Sequence, residues 1–109
     1  MIHTKSNFSH ISVLSEHLDK HISLQAGDIA VDCTAGGGGH TQILLNKVHP
    51  EGLVLAIDQD QEAIKHLLRK YKETLASGSL IIEHAEFSKL KDFISAHKLQ
   101  GKVQTIVAD

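Results

Sequence analysis

The sequence predicts an α/β protein, a doubly wound parallel sheet with helices on both faces. Two observations lead to this prediction: short, continuously apolar segments alternate with amphipathic segments, and polar, acidic or glycine-rich stretches follow the apolar ones. Continuous apolar runs are typical of buried parallel strands, which need helical crossover connections. The 109 residues fit a single domain.

Composition narrows the class of protein. The formal net charge is −2 and 41% of the residues are hydrophobic, so the chain is predicted to fold and lacks an overall positive field for a phosphate backbone. Cys33 is the only cysteine, which excludes an internal disulfide and fits a reducing compartment. With no secretory segment near Met1 and no apolar run near the ~18 residues of a membrane span, we expect a cytoplasmic protein without membrane contact.

The elements follow in order along the chain. Ile11, Leu14, Leu18 and Ile22 have helical spacing and predict an amphipathic first helix that ends near Gly27. Four strands are then expected from the apolar runs at 29–33, 53–57, 80–84 and 103–108.

Helices are predicted between these strands. One follows the glycines, a second starts after an Asp60 N-cap and closes at Ser77 to Ser79, and a third starts after a Ser88 cap. The expected strand order is 3-2-1-4. This order leaves the last strand unpaired at an edge, which favours self-association, and a homo-oligomer is a possible outcome.

The four consecutive glycines Gly36–Gly39 are the strongest functional signal. Each costs about 0.5–1 kcal/mol relative to alanine in regular structure, so a close ligand is the natural reason for them. They follow Asp32 at the end of the first predicted strand, where doubly wound sheets bind ligands. Asp58 ends the next strand, twenty positions after Gly38, about the spacing at which an acid reaches a ribose.

The details of the loop decide between nucleosides. The pattern G-x-G-x-x-G fails because Thr41 and Gln42 stand where the last glycine belongs, and no lysine follows the glycines as in a phosphate loop. Both NAD and ATP are therefore disfavoured. The remaining pattern resembles the first motif of S-adenosylmethionine-dependent methyltransferases, although Thr34 replaces a usual glycine. The alternative is a glycine turn that only packs a helix against the sheet.

Four segments together carry a closer resemblance: HISVLSEHL at 10–18, DCTAGGGGHT at 32–41, AIDQDQEAI at 56–64 and HAEF at 84–87. They are similar to the bacterial 16S ribosomal RNA cytosine-N4 methyltransferases, from about residue 10 to 109. The resemblance implies a Rossmann-like class I methyltransferase sheet and S-adenosylmethionine as cofactor. It also implies the small ribosomal subunit as partner.

The resemblance also implies site residues. Gly38, Gly39 and His40 would contact the methionine part of the cofactor, Asp58 the ribose and Phe87 the adenine. Asp109 would approach the sulfonium and is the candidate catalytic residue. The sequence departs from the family pattern at 33–35 and at 85–86, where the family commonly has Gly-Asn.

Family members are longer and carry an inserted, mainly helical domain. Residues 1–109 are therefore expected to be the N-terminal, cofactor-binding part of the methyltransferase domain, without that insertion and the later strands. Such a chain alone should bind cofactor with little turnover. The alternative is a non-catalytic S-adenosylmethionine- or adenosine-binding half-domain, or an interaction module.

Three further features have weaker functional interpretations. His17 and His21 have i, i+4 spacing that can bind zinc, but no third ligand completes a set, and no metal is predicted. Cys33 is interpreted as a small buried residue and not as a nucleophile. A basic strip on the second helix is interpreted as a solvated face, with RNA contact as the alternative; its residues are Lys65, Arg69, Lys70 and Lys72.

Overall fold

The computed structural model describes residues 11–13, 23–33, 35–37 and 39–108. Within these ranges the chain forms one parallel five-stranded sheet. The strands are β1 (Ile11–Val13), β2 (Ile29–Asp32), β3 (Leu53–Asp58), β4 (Leu80–His84) and β5 (Thr105–Ala108). Their order across the sheet is β1-β5-β2-β3-β4.

The predicted order 3-2-1-4 is confirmed for the four long strands. The expectation that the last strand would lie unpaired at an edge is wrong, because Ile11–Val13 pairs in parallel with β5. The helix predicted over 11–22 is accordingly wrong at 11–13, and its residues 14–22 lie outside the described residues. Ile11 and Val13 also fit a two-residue period, so three residues do not distinguish a strand from the start of a helix.

The described ranges contain four helices: α1 (Gly39–Val48), α2 (Gln61–Lys70), α3 (Lys72–Ser77) and α4 (Leu90–Ala96). Two short 3₁₀ turns, Ala35–Gly37 and Phe87–Lys89, precede α1 and α4. In the described part of the chain, no helix is both long and apolar enough to span a bilayer.

The sheet separates two apolar cores, because successive strand residues point to opposite faces. One core joins Ala30 and Val54 to α1 and α2 through Leu44 and Leu67. The other contains Val31, Leu55, Ile57, Ile106, Leu90, Ile94, Leu99 and Val103. The helices therefore cover both faces, as predicted.

The ends of the helices test the sequence signals directly. Asp60 caps α2, accepting a hydrogen bond from the Glu62 N–H at 2.9 Å, and Gly78 ends α3 with a φ of 85°. The sequence predicts both ends, but as the ends of a single helix, which the structure divides into α2 and α3 at Tyr71. The Ser88 cap is wrong, because Ser88 lies inside the 3₁₀ turn Phe87–Lys89 and its hydroxyl hydrogen-bonds Glu86. A short 3₁₀ turn at a helix start shifts the cap position.

Candidate functional site

The site begins at the carboxyl end of β2, where Asp32 is completely buried. The hydroxyl of Thr41, also completely buried, donates to Asp32 Oδ2 at 2.6 Å. Thr41 lies in the first turn of α1. This short hydrogen bond to a charged group ties the strand to the helix across the glycine segment between them.

Gly36 brings that glycine segment against the end of β3. A Cβ at position 36 would lie 2.7 Å from Asp58 Oδ2 and 3.4 Å from the Cβ of Ala63. Only a glycine lets the backbone approach the carboxylate this closely. The two features that the sequence analysis connected, glycine loop and acid, are therefore in direct contact.

The Asp58 carboxylate is held in place by the backbone of the bend that follows β3, residues 58–60, which we call the Asp58 corner. The N–H of Asp60 donates to Asp58 Oδ1 at 2.8 Å, and the N–H of Ala85 donates to the Asp58 carbonyl at 2.9 Å. One carboxylate oxygen is thus engaged with the backbone, while Oδ2 faces Gly36. A fixed acceptor of this kind suits a ligand with hydroxyl groups.

A cavity of about 220 Å³ opens beside this carboxylate. Its wall contains Cys33, Ile57, Asp58, Gln59, Ala85 and Phe87. Phe87 is 40% exposed although it is a large apolar residue. Exposed aromatic faces stack readily on flat rings, so this wall combines a carboxylate that can accept hydrogen bonds with an aromatic surface that can stack on a ring.

Cys33 lies in the same wall and is half-buried. Burial, and secondarily the charge of Asp32, raise the pKa of its thiol to about 12. The thiol is therefore protonated near neutral pH, which does not suit a nucleophile. Its small side chain instead provides apolar surface in the cavity.

The structure describes four of the six predicted site residues. Asp58 and Phe87 line one cavity. Gly39 and His40 begin α1, and His40 does not contribute to the described wall of that cavity. Gly38 and Asp109 lie outside the described residues.

Sequence reasoning missed two residues of this region. Thr41 is the last residue of the loop motif. It follows a strand-end acid and lies in the first turn of a predicted helix, and this position is the signal that could have identified it. Gln59 lies between two acids and lines the cavity; its position directly after a strand-end acid is a similar signal.

The two alternative sites considered from the sequence, a metal site and a basic RNA-binding strip, have less support in the described residues. No group of three potential metal-ligating side chains occurs in the described ranges, and His17 and His21 lie outside them. On α2, Lys65 pairs with Glu62 at 3.6 Å and the Lys70 ammonium lies 5.5 Å from the ring centre of Tyr71. Partners of this kind are ordinary for a solvated helix face.

Known proteins resemble the chain in sequence. The model of the MraW methylase family matches residues 7–109. A ribosomal RNA small subunit methyltransferase H from Ureaplasma parvum serovar 3 is 37% identical over 90 residues, and the same match occurs in a second strain. The match covers 83% of this chain and 28% of the relative. The chain thus spans less than a third of the length of the curated relatives it matches.

Two crystal structures resemble it in fold. A proposed rRNA methylase from Clostridium thermocellum superposes with a TM-score of 0.59 over 65% of this chain and 38% of its own, at 24% identity. A SAM-dependent methyltransferase from Aquifex aeolicus gives 0.52 over 59% of this chain and 34% of its own, at 25% identity. The sheet is therefore a Rossmann-like methyltransferase sheet.

Proposed function

The chain belongs to the MraW methylase family, and we propose that it forms the S-adenosylmethionine site of an enzyme that methylates small-subunit ribosomal RNA. The acceptor atom in this proposal is the N4 amine of a cytosine in 16S rRNA. Residues 1–109 are the N-terminal, cofactor-binding part of the methyltransferase domain. The inserted substrate domain and the later strands belong to the longer enzyme.

The contact between Gly36 and Asp58 is the observation that carries the proposal. It sets the glycine loop against the Asp58 carboxylate, and that carboxylate lines one cavity together with the exposed Phe87. The vicinal hydroxyls of a ribose fit the carboxylate, and a purine fits the aromatic face. S-adenosylmethionine has both parts, so the residues present fit this cofactor.

Each residue then has a role. Asp58 accepts hydrogen bonds from the ribose hydroxyls, and Phe87 packs on the adenine. Gly38, together with Gly39 and His40 at the start of α1, binds the methionine part, where helix N–H groups favour a carboxylate. Asp109, the next residue in sequence after β5, approaches the reacting end of the cofactor in this proposal.

Methyl transfer to the cytosine amine depends mainly on how the two reacting groups are positioned. S-adenosylmethionine supplies an activated methyl group when bound. The cytosine amine is a weak nucleophile because its lone pair is delocalised into the ring, so it must be held in line and its hydrogens need acceptors. Asp109 is the candidate acceptor on this chain, and the RNA-binding surface belongs to the longer enzyme.

Little turnover is expected from the 109-residue chain alone, together with cofactor binding. A cytoplasmic enzyme acting on the small ribosomal subunit is the setting of this proposal. A non-catalytic adenosine-binding half-domain remains the alternative function, and a homo-oligomer remains a prediction. The fifth strand removes the open β5 edge on which that prediction rested.

Transfer is tested with tritiated S-adenosylmethionine and small subunits from cells that lack the methylation, followed by mass spectrometry of the 16S rRNA. The enzyme containing this chain should label one cytosine at N4, and Asp58→Ala should lose most of the label. Binding without any label would favour the half-domain. Label at another atom would contradict the proposed acceptor.

A further inference from the structure

We propose that His84 is a positioning residue for the ribose-binding carboxylate, acting through the backbone of Gln59. This inference deepens the proposed function and rests on it. The imidazole Nε2 of His84 lies 2.9 Å from the carbonyl oxygen of Gln59. Gln59 lies between Asp58, which faces the cavity, and Asp60, whose N–H holds the Asp58 carboxylate.

The sheet register explains how His84 reaches this corner. His84 is the last residue of β4 and pairs with Asp58, the last residue of β3. The backbone therefore leaves β3 at Gln59, directly beside His84. A histidine at this register position spans the gap to the Gln59 carbonyl.

Three separate hydrogen bonds hold the Asp58 corner. The Asp58 carbonyl accepts from the N–H of Ala85 at 2.9 Å, and the Asp60 N–H donates to Asp58 Oδ1 at 2.8 Å. The carbonyl of Gln59 accepts from His84. Because the Gln59 carbonyl and the Asp60 N–H belong to one peptide plane, holding the first also orients the second. His84 thereby fixes the donor that aims the Asp58 carboxylate.

The chemistry of the bond determines the tautomer. A carbonyl only accepts, so Nε2 of His84 carries the proton. Both the neutral Nε2–H form and the imidazolium supply this donor. A glutamine at position 84 has an amide nitrogen at a similar reach, whereas the amide of an asparagine is shorter and a leucine has no donor.

A second histidine bond provides a matched control. His97 Nε2 lies 2.9 Å from Glu83 Oε1, linking the C-terminal end of α4 to the residue before His84. This bond has the same length and joins the same strand, but it does not involve the Asp58 corner. Its loss should lower stability and leave ligand affinity unchanged.

The test combines ligand affinity with a measurement on the unliganded chain. His84→Leu should weaken S-adenosylmethionine binding about three- to tenfold in calorimetry, which corresponds to one net hydrogen bond. It should also speed hydrogen exchange of the Asp60 amide, while the β2 amides keep their rates. His84→Gln should restore both values to within about twofold of the original chain, and His97→Leu should change neither. Should His84→Leu fail to fold, His84→Asn takes its place.

The outcomes separate this inference from the proposed function. In an Asp58→Ala background, His84→Leu should have no further effect on affinity, because its action passes through Asp58. An Asp60 amide that exchanges equally in His84→Leu and the original chain would overturn the positioning role, whatever the cofactor result. A chain that does not bind S-adenosylmethionine but shows the exchange effect would overturn the proposed function instead.

Discussion

The carboxylate of Asp58 occupies the space that a side chain at Gly36 would need, with Oδ2 only 2.7 Å from an ideal Cβ at that position. The glycine loop and the strand-end acid thus pack directly against each other. Any larger residue at position 36 would collide with a neighbouring side chain of the protein itself unless that side chain moved. The loop is therefore part of the packing as well as of the proposed site.

Replacing Gly36 with alanine should force the Asp58 carboxylate out of place. We expect a loss of about 1–3 kcal/mol in the free energy of unfolding, as for other overpacked sites, and a weaker affinity for S-adenosylmethionine. Urea unfolding and calorimetry measure the two effects.

A double-mutant cycle identifies the cause of that loss. In an Asp58→Ala background the collision partner is absent, so Gly36→Ala should cost much less stability. Equal losses in both backgrounds would mean that another contact, such as that with Ala63, dominates.

The thiol of Cys33 should react slowly, because its raised pKa of about 12 keeps it protonated. At pH 8, alkylation by iodoacetamide should be at least about tenfold slower than for a free cysteine. S-adenosylmethionine should slow it further, since Cys33 lines the cavity. Fast alkylation that the cofactor does not change would contradict this placement, and NAD provides the control ligand.

The same thiol should make the fold sensitive to high pH. Its pKa rises from 9.0 to about 12 on folding, so the unfolded chain loses the proton first and the stabilising difference is present below pH 9. Between those values stability should fall with rising pH, by at most about 1.4 kcal/mol per pH unit from this group. Burial also raises the pKa of Tyr71, which acts in the same direction at higher pH. Urea unfolding from pH 8.5 to 11 should give a flatter profile for Cys33→Ala.

The hydrogen bond from Thr41 to Asp32 should contribute strongly, because both residues are completely buried. Thr41→Val keeps the shape and removes the donor, so it should cost about 1–3 kcal/mol of stability. Thr41→Ser keeps the hydroxyl and should cost less. A Thr41→Val chain as stable as the original would show that the other interactions of Asp32 suffice.

The sequence predicts most of the sheet because its long strands are continuously apolar. Leu53–Asp58 and its neighbours are buried between two helix layers, and that burial requires the apolar runs. The strand Ile11–Val13 is different, since three residues carry too little pattern and the strand exists through its pairing with β5. Ser88 is a similar case, because the structure has a 3₁₀ turn, Phe87–Lys89, where the sequence predicts the cap.

The candidate site also has one part that the sequence predicts and one part that it does not. Asp58 follows from motif spacing and Phe87 from the family resemblance, and both residues line one cavity. The contact of Gly36 with Asp58, and that of His84 with Gln59, depend on how close two corners approach and on strand register. Such distances are set by the assembled sheet, so no local sequence pattern predicts them.

The most direct test of the proposed cofactor site is a calorimetric titration of the 109-residue chain with S-adenosylmethionine, with NAD as the control ligand and Asp58→Ala as the control variant. We expect binding of S-adenosylmethionine, no binding of NAD, and an affinity at least about tenfold weaker in Asp58→Ala, since hydrogen bonds to a charged acceptor are lost. A folded chain that binds neither ligand, or that binds S-adenosylmethionine equally well without the Asp58 carboxylate, would contradict it.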